Sequence, residues 1–234
     1  MFKSLIVGEG LFSQYVDFEE VNWERIQEAT QETLLMTAIS VAAVFILGLV
    51  IGLLLYETAG KKSVFAKVLH LIVSMFVNIF RSVPFIILIV LLIPFTKQLV
   101  GSIIGPVAAL PALIISSAPF YGRLVETGFR EIDKGVIEAA EAMGANKWQV
   151  IYKVLIPESL PSIIAGITTT AISLVGYTAM AGVIGAGGLG NLAYLEGFQR
   201  NQPTVTLVAT VIVLIMVFLI QGIGERVVDR VDKR

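Results

Sequence analysis

Long stretches of this sequence hold no charged residue, and that property limits the folds open to it more than any other. Four uncharged, mostly apolar runs cover residues 33–56, 98–122, 159–180 and 201–224. Each reaches the roughly 20 residues needed to cross the hydrocarbon of a bilayer. A helix is the only open-ended way to cross, because every backbone amide and carbonyl must be satisfied within the segment. A fifth run, 68–96, is apolar but carries Arg81 near its middle and Pro84 just after it. Its second half, 82–99, reads as spanning. The part before Arg81 reads as an interfacial helix or the first limb of a broken one. The expected fold is therefore all-α, a polytopic membrane protein with five transmembrane helices.

Five crossings put the termini on opposite sides, and basic residues choose the side. Lys61, Lys62, Lys67, Arg81, Arg123, Arg130, Lys134, Lys147, Lys153, Arg226, Arg230, Lys233 and Arg234 fall on one side, and Lys3, Arg25, Lys97 and Arg200 on the other. This partition predicts a cytoplasmic C-terminus and an external N-terminus. The expected organisation is an extracytoplasmic or interfacial segment over 1–29, a transmembrane domain over 30–226 and a cytoplasmic tail over 227–234. The N-terminal stretch carries Glu9, Asp17, Glu19, Glu20, Glu24, Glu28 and Glu32, lacks the pattern of a cleaved signal peptide, and is expected to persist. Asn22 can cap a helix in which Trp23, Ile26, Thr30 and Leu34 are spaced to share one face. Neither an internal repeat nor a low-complexity segment is visible.

Composition narrows the function. Apolar residues make up 56% and charged residues 15%, with a net charge of -1, so the clustered cations of a nucleic-acid footprint are missing. The absence of cysteine excludes disulfides and thiol nucleophiles, and the lone His70 removes most metal and Ser/His chemistry. Gly185-Ala186-Gly187-Gly188-Leu189-Gly190 matches the dinucleotide pattern by letter. It follows a span rather than a strand, and a flexible external turn suits it better. Gly60-Lys61-Lys62 lacks the upstream glycine and the hydroxyl of a Walker A loop. ATP, if used, is expected to be hydrolysed by another chain.

The longest cytoplasmic loop is expected to run over 123–158. Ile137, Ala140 and Met143 share a helical face over 133–143, with Gly144 suited to a left-handed stop. Asn146 and Gln149 form a candidate capping box for a second short helix, ended by Pro157. Glu138-Ala139-Ala140, then Gly144 four positions on, then Val154-Leu155-Ile156-Pro157, resemble the EAA loop of ABC importer permeases. Val154 and Ile156 depart conservatively from that pattern. The resemblance implies a coupling helix that docks in a groove of an ATPase, with Glu138, Ala139, Ala140, Met143, Gly144 and Ala145 as the docking residues.

A broader resemblance spans 30–226. The segments from Asn78 to Ile87 and from Gly176 to Met180, running on into Gly190, resemble bacterial methionine importer permeases. This implies a type I ABC importer fold and two copies of the chain. It also implies two ATP-binding subunits carrying ATP and Mg, an extracytoplasmic methionine-binding protein, and a place in the cytoplasmic membrane. No cofactor or metal is expected on the chain itself.

Arg81 and Pro84 mark either a functional break or a snorkelling cation at a membrane rim. Ala165, Thr169, Ser173 and Gly176 form a small-residue face suited to helix packing or to a pore. Tyr177 and Met180 lie beyond it, and Met180 could offer a thioether contact. The candidate pathway set is Asn78, Arg81, Ser82, Pro84, Ser173, Tyr177 and Met180. An ATP-driven importer leads, for methionine or for another small amino acid or polar solute. An ion-coupled carrier is disfavoured because no Asp or Glu falls inside the expected spans. A membrane enzyme lacks an evident nucleophile, base or metal site.

Overall fold

The computed structural model describes Tyr15, Phe18, Glu19 and residues 21–232. Among the described residues every regular element is helical. Glu9, Asp17, Glu20, Lys3, Lys233 and Arg234 lie outside them. Five helices are long and apolar enough to cross a membrane: α1 (Trp23–Thr58), α2 (Val64–Ser82), α5 (Pro106–Arg130), α9 (Leu160–Val183) and α11 (Pro203–Val231). Between them lie α3 (Phe85–Leu91), α4 (Ile93–Val100), α6 (Lys134–Ala142), α7 (Lys147–Val150), α8 (Ile156–Glu158) and α10 (Gly188–Leu192). π-Helical turns occupy Ile151–Leu155 and Ala193–Gln199.

Asn22 starts α1 as its pattern predicts, its side chain accepting from the Arg25 amide at 3.1 Å. The helix then runs unbroken for 36 residues. At about 1.5 Å per residue that exceeds the roughly 30 Å of hydrocarbon, so its acidic first turns reach beyond it. On the face marked by spacing, Ile26 is buried, Thr30 half-buried, and Trp23 and Leu34 exposed, while Ala29, Thr33 and Met36 turn inward.

The second crossing is a broken helix, one of the two readings left open for 68–96. The 19-residue α2 is the long helix, while 82–99 is cut into α3 and α4, neither long enough to span. Pro84 lacks an amide and disfavours a helical residue before it; Val83 is accordingly extended at φ -80, ψ 124. Gly101 and Gly105 take positive φ and end this region, so α5 starts at Pro106 rather than near Gln98. At its other end α5 continues to Arg130, taking in residues expected to be loop.

The chain forms two compact units. The first comprises residues 1–39, 86–113 and 174–218, and the second comprises 40–85, 114–173 and 219–234. In the first, Val21, Ile26, Ala29, Leu189, Leu192, Val205, Ala209 and Met216 form one apolar cluster. In the second, α1 and α5 meet at glycines. A Cβ on Gly48 would lie 3.2 Å from the Gly122 amide nitrogen, and one on Gly52 would lie 2.8 Å from the Gly122 carbonyl oxygen. Small residues four apart let helix backbones touch in a membrane, where apolar burial gives no preference for helix over lipid.

Candidate functional site

The loop after α5 is built by local rules. The Asp133 carboxylate accepts from the Gly135 amide at 2.8 Å and starts α6. The helix ends where Gly144 takes φ +86. There the Ala145 amide donates to the Ala140 carbonyl at 3.1 Å and the Gly144 amide to the Glu141 carbonyl at 2.9 Å, the paired bonds of a Schellman stop. Immediately afterwards Asn146 and Gln149 exchange side-chain and backbone bonds of 2.9 and 2.8 Å, the expected capping box. Pro157 does not end this second helical stretch. The π-turn at Ile151–Leu155 is followed by α8, and the helical path continues to Glu158.

The expected docking residues divide by exposure. Glu138, Ala139, Met143 and Gly144 face out, with Met143 at 83% exposure, and Ala145 is half-buried. Ala140 turns inward at 7% exposure and seats the loop, so it offers no surface to a partner. Sequence reasoning missed two exposed aromatics here, Trp148 and Tyr152, at 72% and 54% exposure. Their i, i+4 spacing puts both on one side of the second helical stretch, the signal that could have found them.

The pathway candidates divide between the two units. Asn78, Arg81, Ser82, Pro84 and Ser173 belong to the second unit, and Tyr177 and Met180 to the first. Arg81 is exposed at the end of α2, its guanidinium 5.9 Å from the centre of the Phe120 ring, within cation–π range. The Ser82 hydroxyl donates to the Asn78 carbonyl at 2.8 Å, and that of Ser173 to the Thr169 carbonyl at 3.0 Å. Both hydroxyls are therefore satisfied within their own helices. Tyr177 is half-buried, and Met180 is exposed.

The glycine run is a turn only as far as Gly187. Gly187 and Gly188 do take positive φ, but α10 starts at Gly188, and a Cβ on Gly190 would lie 2.3 Å from the Cα of Ala179. Glu32 accepts from the Gly188 amide at 2.6 Å and Thr33 from the Leu189 amide at 2.9 Å. A carboxylate thus fills the place where a dinucleotide fold would hold phosphate.

Glu126 lies in α5 beyond the uncharged run 98–122, where the helix continues toward the loop, and is at 2% exposure. Both of its oxygens are paired, one with Arg123 at 2.6 Å and the other with Arg130 at 2.7 Å. Glu196, buried in the π-turn after α10, is likewise held between Arg25 and Arg200. Buried carboxylates must be compensated in this way or lose their charge.

Residues 48–234, with the helical loop and most of the spanning helices among them, match the family described as the binding-protein-dependent transport system inner membrane component. The chain belongs to that family. A methionine import system permease protein, MetP of Bacillus subtilis (strain 168), is 56% identical over 224 residues, covering 96% of this chain and 100% of the relative. A probable D-methionine transport system permease protein, MetI of Pasteurella multocida (strain Pm70), is 42% identical, covering 91% and 98%. Among solved structures, a chain from inward-facing conformations of the MetNI methionine ABC transporter superposes with a TM-score of 0.85. It is 45% identical, covering 89% of this chain and 96% of that one. The spanning helices of this inner-membrane transport component therefore carry the family fold.

Proposed function

We propose that this chain is the permease subunit of an ATP-driven importer that carries methionine across the bacterial cytoplasmic membrane. Two copies line the pathway, two copies of a separate ATP-binding subunit carry ATP and Mg, and an extracytoplasmic binding protein delivers the substrate. The observation that carries the reading is the loop from Asp133 to Glu158. Its Schellman stop and capping box fix two short helices at a set angle, with Glu138, Ala139, Met143 and Gly144 on the outside. A rigid short helix with small and apolar outward residues suits a groove on a partner. The relatives' names supply methionine as the cargo.

The loop side is the cytoplasmic side in this reading. Among the described Lys and Arg residues, Arg25, Lys97 and Arg200 fall in the first unit and the others in the second with the loop. Positive charge is retained on the cytoplasmic face. ATP closure of the partner would move the loop, and the break at Val83 and Pro84 is where the inner part of the pathway gives way. Residues 30–226 make up the transmembrane domain, between the external segment 1–29 and the tail 227–234.

The test is uptake of labelled methionine into vesicles containing this chain with its ATP-binding and substrate-binding partners. Uptake should need internal or external ATP on the loop side and should survive dissipation of ion gradients. Uptake that follows a proton or sodium gradient without ATP would overturn the reading.

A further inference from the structure

Glu126 is the acid that the docking loop and the spanning helices leave unexplained. It is buried within α5, in the last turns before the loop. Its Oε2 accepts from Arg123 Nη1 at 2.6 Å, and its Oε1 accepts from Arg130 Nε and Nη2 at 3.0 and 2.7 Å. The second arm of Arg123 leaves the helix. Its Nη2 donates to Asn78 Oδ1 at 3.2 Å and reaches Ser74 Oγ at 3.5 Å, both on α2. Asn78 lies one turn before Ser82, where α2 stops ahead of Pro84. Arg130 is the last residue of α5, and Asp133, three residues on, caps the docking helix α6.

A planar guanidinium can hold two partners in fixed directions, and a carboxylate can accept from two cations at once. The groups therefore form one unbroken path of charge-assisted bonds, from the end of α2 through Arg123, Glu126 and Arg130 to the root of the loop. Glu126 is buried and the Arg123 side chain 26% exposed, so the inner part of the path is little screened by solvent, while Arg130 opens to solvent at the root of the loop. Such a device suits a joint that must move as one body better than it suits stability alone, since a buried ion triad is often replaceable by apolar packing.

We infer that Glu126 is a positioning residue that makes the break in α2 follow the docking loop, so that ATP-driven movement of α6 reaches the pathway. The inference rests on the loop being the ATPase docking site. Glu126 itself touches neither substrate nor ATPase in this scheme.

The test compares methionine taken up per ATP hydrolysed in reconstituted vesicles of the full complex. Glu126→Gln should retain the ATP-binding subunit on purification and still hydrolyse ATP, while uptake per ATP falls by about tenfold or more. Should Glu126→Gln fail to accumulate in the membrane, Arg123→Lys decides the matter. It keeps a cation for Glu126 but lacks the second arm for Asn78, and the same fall in uptake per ATP is expected. A purely structural ion triad would lower the amount of folded complex and leave that ratio at its wild-type value. A wild-type ratio in the variants that fold overturns the inference, as does loss of the ATP-binding subunit from both. Failure of the docking reading shows separately, as normal partner retention and uptake in Gly144→Trp.

Discussion

Gly48 on α1 and Gly122 on α5 face one another so closely that a Cβ on Gly122 would lie 3.3 Å from the Gly48 carbonyl oxygen. The same contact places Gly48 against Tyr121, whose hydroxyl donates to the Ile163 carbonyl at 3.3 Å and so ties α9 to the pair. Gly48→Leu should force these helices apart, at a cost of about 1–3 kcal/mol for overpacking. A lower thermal midpoint of the purified complex, with insertion into the membrane unchanged, is the expected result.

Gly144 permits two effects to be separated. A Cβ there meets nothing within 4 Å, so the chain itself has room, but φ is +86. Gly144→Ala should cost only about 1–2 kcal/mol in backbone strain and leave the ATP-binding subunit bound. Gly144→Trp should also obstruct the partner, so co-purification should drop sharply while membrane insertion stays normal. Glu138→Ala should act more mildly than Gly144→Trp, because a rim charge contributes less than a filled contact.

Arg81 separates a gate from a rim anchor. Its guanidinium rests over Phe120 without an ion pair among the described residues, one turn after Asn78 and just before the break in α2. Arg81→Ala should reduce methionine uptake several-fold while the complex assembles in full amount. Undiminished uptake would assign Arg81 to the rim alone.

Orientation is open to labelling on a clean background, because the chain has no cysteine. Ser102→Cys lies between α4 and α5, and Ser63→Cys between α1 and α2, both at exposed positions. An impermeant thiol reagent added to intact cells should label the first and spare the second. The opposite pattern would invert the topology.

Features set by neighbouring residues were legible in the sequence. Asn22, Asn146, Gln149 and Gly144 act within one turn of their own position, so the start of α1, the end of α6 and the start of α7 follow from letters alone. The number of spans followed from uncharged length. Glu126 was hidden because Arg123, Glu126 and Arg130 look like the solvated start of a loop until α5 is seen to continue through them. The length of α2 within 68–96 was hidden for a related reason. Arg81 and Pro84 left the part before them open to an interfacial reading, and the tie between the His70 ring and the Thr58 hydroxyl at 3.0 Å is a contact between helices that spacing does not reveal. Gly48 and Gly52 carried no signal, since glycines are common in membrane helices and only the partner helix gives them meaning.

The central claim is that the face bearing Met143 meets the ATP-binding subunit, and cross-linking tests it most directly. Met143→Cys and Phe198→Cys place single thiols at positions of 83% and 75% exposure, one on the loop in the second unit and the other in the first. In vesicles holding the full complex, a short bifunctional thiol-to-amine reagent should join the Met143→Cys chain to the ATP-binding subunit and leave Phe198→Cys unjoined to it. An adduct from Phe198→Cys with none from Met143→Cys would contradict the account.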